Sequence, residues 1–163
     1  MRKGTKDLSS ERLAFIETCV DQCTDSRALT RSTMWNLLQM DLGRIRSGNY
    51  DDAVSSLTQL IRETQSPAAY LLLAEARVRM GQGDLAMVTL DVLGYVEPQF
   101  VEARLVKGLI LCEQGAMTEA REALQSVFRV KPSIPPTWQT LMDTALERRD
   151  LSNEMVPAGD GNS

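Results

Sequence analysis

The chain has 163 residues, a formal net charge of −4 and no histidine. That length suits one domain, and the lack of His excludes a Ser-His-Asp triad, a His-built catalytic zinc site and a histidine pH switch. The acidic balance, with pI ≈ 4.9, lacks the basic footprint of a nucleic-acid binder and leaves another protein as the expected partner.

The first residues, Met1-Arg2-Lys3-Gly4-Thr5-Lys6, are basic, but no long apolar run follows them. No stretch approaches the ~18 apolar residues of a membrane span, so neither a secretory signal nor membrane insertion is expected. Three cysteines are an odd number and do not suggest a disulfide framework, so a reducing, cytoplasmic location is expected. The first predicted helix covers residues 9–23, with Ser9 and Ser10 as its N-cap. Leu13, Phe15, Ile16, Cys19, Val20 and Cys23 form an amphipathic stripe along it. The stripe suits either a cap on the first helix pair or self-association into a homodimer.

Helix pairs follow at 33–46 with 50–64, 67–80 with 84–96, and 101–113 with 118–130. Gly48, Gly81 and Gly115 come just after the first helix of each pair, where a left-handed residue wants no Cβ. Asp84 and Thr118 are the expected caps of second helices. Apolar residues recur at helical spacing, as in Val88, Val92, Tyr95 and Val96, and again in Leu105, Leu109 and Cys112. No run alternates with period two, so no sheet is expected. A last helix at 135–148 turns Trp138, Leu141, Met142 and Ala145 inward as a cap and leaves Gln139, Asp143, Glu147 and Arg148 to solvent. The remaining tail contains Pro157, Gly159 and Gly161 and is expected to be disordered.

The three pairs are copies of one unit. A shift of 34 places Gly81 on Gly115, Ala86 on Ala120, Leu90 on Leu124 and Pro98 on Pro132; a shift of 33 places Gly48 on Gly81, Ala53 on Ala86 and Leu57 on Leu90. Small residues in register let paired helices approach closely, and Pro98 and Pro132 end the helices before them. Tyr70-x2-Leu73-Ala74, Ala86-x3-Leu90 and Pro98, with Lys107-Gly108, Ala120-x3-Leu124 and Pro132, resemble the tetratricopeptide repeat. The resemblance covers residues 34–149. It implies an all-α, tetratricopeptide-type helical-hairpin solenoid with an N-terminal helix (1–33), three repeats plus a C-terminal capping helix (34–149), and a tail (150–163).

No enzyme chemistry is expected. Cys19 and Cys23 share a helix face but lack further metal ligands and read as small core hydrophobes. Asp51 and Asp52 open a helix and favour its positive end. Gly81-Gln82-Gly83 reads as a turn, not a phosphate loop. No cofactor is expected.

In stacks of this type the first helix of each pair lines an inner groove. The resemblance places Trp35, Leu38, Leu42 and Ile45 there, then Ala68, Leu71, Glu75 and Val78, then Glu102, Leu105, Leu109 and Cys112. The expected partner-binding surface is Trp35, Leu38, Leu42, Ile45, Leu71, Val78, Leu105 and Leu109. An apolar groove of this kind takes an apolar or amphipathic peptide segment of a client protein, unless the N-terminal helix or the tail packs into it. Leu42, Glu75 and Leu109 share one slot, which does not suit the carboxylate clamp found in some members. A narrower similarity lies in Gly83-Asp84-Leu85-Ala86, Glu97-Pro98-Gln99-Phe100 and Gln114-Gly115-Ala116-Met117-Thr118-Glu119-Ala120. These stretches are similar to the class II chaperones of bacterial type III secretion, which implies a cytoplasmic chaperone that holds an export client. The alternative is a structural adaptor or scaffold subunit in an envelope or pilus assembly.

Overall fold

Helix starts and stops follow local chemistry in the computed structural model, which describes residues 7–22 and 29–154, with side chains as far as Glu147. The described elements are α1 (Leu8–Gln22), α2 (Arg31–Arg46), α3 (Tyr50–Thr64), α4 (Pro67–Arg79), α5 (Gly83–Val96), α6 (Glu102–Gln114), α7 (Met117–Val130) and α8 (Pro136–Glu154). The predicted sites of all eight hold to within two residues at each end, apart from the far end of α8.

The caps differ from expectation. Asp7, not Ser9 or Ser10, caps α1: its Oδ1 accepts the Ser10 backbone N–H at 2.7 Å and the Ser9 hydroxyl at 3.2 Å. The Ser10 N–H holds the Asp7 carboxyl below its ordinary value. Thr30 accepts from the Thr33 N–H to open α2, and Ser66 accepts from the Ala69 N–H to open α4, with Pro67 in its first turn. The second helix of each pair has no side-chain cap; Asn49, Gln82 and Ala116 stand at those positions. Asp84 and Thr118 therefore lie inside the first turn, and Asp84 acts there by charge on the helix dipole.

The turns inside the pairs use the expected glycines, with φ of 84°, 78° and 81° at Gly48, Gly81 and Gly115. Between α3 and α4 the same left-handed conformation falls on Gln65, with φ 54°.

The hairpins α2–α3, α4–α5 and α6–α7 stack through α3 on α4 and α5 on α6, an all-α helical-hairpin solenoid of tetratricopeptide type. Ala53, Ala86 and Ala120 are wholly buried where the paired helices cross. Across from them the first helices carry Asp41, Ala74 and Gly108 in one register slot. At Gly108 even a Cβ would come within 2.4 Å of the Leu124 side chain. Asp41 is the exception in size and polarity. Its buried carboxylate accepts from Arg44 at 2.7 Å and from the Ser56 hydroxyl of α3 at 2.8 Å. Burial raises its pKa against the lowering pull of those two donors.

At the far end α8 packs on α6 and α7 and buries Met142 and Ala145, with Trp138 and Leu141 half-buried. The helix continues to Glu154, so residues 151–154 are helical where a tail was expected; residues 155–163 lie outside the described residues. A second departure concerns α5. Val88, Val92 and Tyr95, three members of the apolar stripe marked out by helical spacing, stand exposed, while Ala86, Leu90 and Leu93 supply the buried face.

Candidate functional site

The helices α2, α4 and α6 form one surface, and α1 lies against all three. Leu38, Leu42, Ile45, Leu71, Leu105 and Leu109 are fully buried there, Val78 is half-buried, and Trp35 is 43% exposed at the edge. The structure thus brings the expected groove residues together and places the chain's own first helix on them. From its side α1 contributes Leu13, Phe15, Ile16, Cys19 and Val20, all buried. Its stripe is satisfied within the chain, across α2, α4 and α6 together and not on the end of the first pair alone. Cys23, the other member of the expected stripe, lies outside the described residues.

One polar contact sits in the middle of this apolar joint. Arg12 of α1 donates through Nε to Glu75 Oε1 at 2.6 Å and through a terminal nitrogen to Oε2 at 3.1 Å. Both side chains are wholly shielded from water. Arg12 also reaches Glu113 on α6 at 3.0 Å, and Glu75 receives Arg79 at 2.7 Å. Two guanidinium groups thus face two carboxylates. Burial pulls the Arg12 pKa down, but the hydrogen bonds and charges of Glu75 and Glu113 outweigh it and hold the pKa above its ordinary value. The bidentate fork is a geometry that Lys cannot reproduce.

Further contacts pin the rest of α1. Glu17 pairs with Arg46 at 2.6 Å, near the end of α2, and Asp21 accepts from the Trp35 indole N–H at 3.0 Å, near its start. The two helices therefore run in opposite directions. Phe15 meets Trp138 of α8 edge to face, with ring centres 5.4 Å apart, and the Lys131 ammonium lies 5.9 Å from the centre of the Trp138 ring. Glu102, the other acid of the expected groove, is half-buried, and burial raises its carboxyl pKa.

Arg12 escaped the sequence reading. Its signal was present: one basic residue interrupts the apolar stripe of the first helix, and Glu75, one of the two acids of the expected groove, interrupts the apolar groove at its middle repeat. Two opposite interruptions on two amphipathic surfaces imply that the surfaces meet.

The joint can recognise a helix by shape, apolar area and one guanidinium. Asp51 and Asp52 lie exposed in the first turn of α3. Among the described residues no cluster of His, Cys, Asp and Glu is arranged to hold a metal ion, and no helix is long and apolar enough to cross a membrane.

Comparison with protein families matches the tetratricopeptide repeat over residues 44–100, from the last turn of α2 through α5. The chain therefore carries a repeat of a kind that serves as a protein-interaction module. No curated protein matches the chain at significance.

Proposed function

We propose that this protein-binding module holds an apolar or amphipathic helical segment of a client across α2, α4 and α6, in the place that α1 occupies at rest. The carrying observation is α1 itself: a helix with an apolar stripe and one arginine fits this surface and satisfies its buried carboxylate. A client segment should offer the same features, a stripe to meet Leu38, Leu42, Leu71 and Leu105 and a guanidinium for Glu75. Client and α1 then compete, so the apparent affinity falls with the fraction of chains whose groove is open.

In its narrower form the proposal makes the chain a cytoplasmic chaperone of a type III secretion client. The repeat sequences around Gly83-Asp84-Leu85-Ala86 and Gln114-Gly115-Ala116 support that form. The adaptor reading draws its support from the occupied groove, which leaves other faces for stable contacts.

The test uses a labelled peptide with the sequence of residues 7–22 as the groove probe. In full-length Arg12→Glu a carboxylate faces Glu75 in a dry site, so the tethered α1 should leave and the peptide, which keeps its arginine, should bind. The wild-type chain should bind it much more weakly. If Arg12→Glu folds and takes up no more peptide than wild type, the groove reading is wrong. Co-expression separates the two biological settings: a client that aggregates alone but stays soluble with the chain marks a chaperone, and co-fractionation with a lasting assembly marks an adaptor.

A further inference from the structure

The outward face of α5 is unlike that of its two counterparts. Leu85, Val88, Val92 and Tyr95 recur at i, i+3, i+7 and i+10 and form one stripe on the helix surface, 47%, 55%, 42% and 88% exposed. The repeat supplies its own control. The same register positions on α3 are Asp52, Ser55, Gln59 and Arg62. On α7 they are Glu119, Glu122, Ser126 and Arg129. The fold therefore accepts polar side chains at all four positions, and packing of the solenoid does not account for four large apolar groups in the middle repeat. Contiguous exposed apolar surface of this kind marks a contact surface.

Charge narrows the partner. Residues 80–103 contain Asp84, Asp91, Glu97 and Glu102 and no Lys or Arg. Asp84 and Asp91, seven residues apart, flank the stripe along one edge, and Asp91 already draws in Lys107 from α6 at 2.8 Å. A second copy that met this face with its own α5 would set Asp84 and Asp91 against the same two acids, and an anionic lipid surface would be repelled.

We propose that the outer face of α5 is a docking site for an amphipathic helix of another protein, one whose apolar stripe is bordered by Lys or Arg. Val88 and Val92 form the centre of the contact, Tyr95 its aromatic anchor, and Asp84 selects the basic edge. The site lies on a helix that does not line the groove, so it stands or falls independently of groove binding.

The probe is a synthetic 18-residue amphipathic helix of Leu with a Lys edge (a length of about five turns), titrated into the full chain and into a Val88→Ser/Val92→Gln variant that carries the residues of the first repeat. A twin peptide has Glu in place of Lys. Both Val side chains are exposed, so the variant should keep the wild-type melting temperature. The Lys peptide should bind the wild-type chain and shift amide NMR signals of α5. The variant and the Glu twin should each bind at least about tenfold more weakly. The inference is overturned if the variant binds the Lys peptide as well as wild type does, or if the shifted amides lie away from α5. It is equally overturned if wild type forms a dimer, or binds zwitterionic phosphatidylcholine vesicles, in a manner that the double variant abolishes, because a second copy or a membrane is then the occupant.

Discussion

Arg12 on α1 and Glu75 on α4, 63 residues apart in the chain, form a bidentate ion pair from which water is wholly excluded. An ion pair in such a place adds little net stability compared with well-packed hydrophobes, yet losing one partner strands the other charge. Glu75→Ala leaves Arg12 with Glu113 alone and should cost about 3–5 kcal/mol. Arg12→Ala should cost less, because Arg79 still holds Glu75. Arg12→Met with Glu75→Leu should recover most of the loss. Urea midpoints of the four proteins test this order; a double variant less stable than either single one would contradict it.

Undocking of α1 has a built-in reporter. The chain has two tryptophans, and both touch α1: Trp35 through Asp21 and Trp138 through Phe15. Arg12→Glu should shift tryptophan emission to the red while far-UV circular dichroism keeps the signal of the remaining helices. Leu42→Glu and Leu105→Glu are blunter tools, since both side chains are buried under α1 and a carboxylate there has no partner. Unchanged emission in a folded Arg12→Glu protein would mean that α1 stays docked.

Two glycine substitutions should act with opposite sign. Gly108→Ala drives a Cβ into the buried Leu124 side chain and should destabilise by about 1–3 kcal/mol. Gly94→Ala, in α5, meets nothing within 4 Å. It should stabilise by about 0.5–1 kcal/mol through helix propensity and the lower entropy of the unfolded chain. Thermal denaturation of the pair checks both; equal shifts would contradict the close crossing of α6 and α7.

Gln65 adopts a left-handed conformation that costs an L-residue about 1–2 kcal/mol. Gln65→Gly should relieve this strain, in part offset by the greater entropy of glycine in the unfolded chain, for a net gain below about 1 kcal/mol. Urea midpoints decide the sign.

Asp41 gives the first hairpin a pH dependence. Its carboxyl is raised above the ordinary value of 3.8 by burial. The folded chain therefore holds the Asp41 proton more tightly than the unfolded chain does. Its contribution to stability is fully present below the unfolded pKa and is lost as pH rises through the folded pKa. Asp7, held low by the Ser10 N–H, works in reverse and is lost as pH falls through its folded value. Subtracting the pH–stability curve of Asp41→Asn from that of wild type should leave a component that declines above pH 3.8. A flat or rising difference would contradict a carboxylate desolvated without full compensation.

Local chemistry made much of the fold readable. Gly48, Gly81 and Gly115 sit where only glycine takes a left-handed turn without strain, and Ala53, Ala86 and Ala120 recur where helices must come close. Such constraints act within one hairpin, so the register of repeats determined the helix pairs and the solenoid.

Which surfaces are covered is a different kind of fact. Apart from its one arginine, the stripe of α1 carried no information about its target, and only the folded chain brings Arg12 to Glu75 across 63 residues and seats the helix on α2, α4 and α6. α5 shows the same limit from the other side. It is apolar on both its buried and its outer face, so helical spacing could not tell Ala86, Leu90 and Leu93 from Val88, Val92 and Tyr95. A one-dimensional period determines that side chains share a face; only neighbouring helices, through the volume they fill and the charges they bring, decide whether that face meets protein or water.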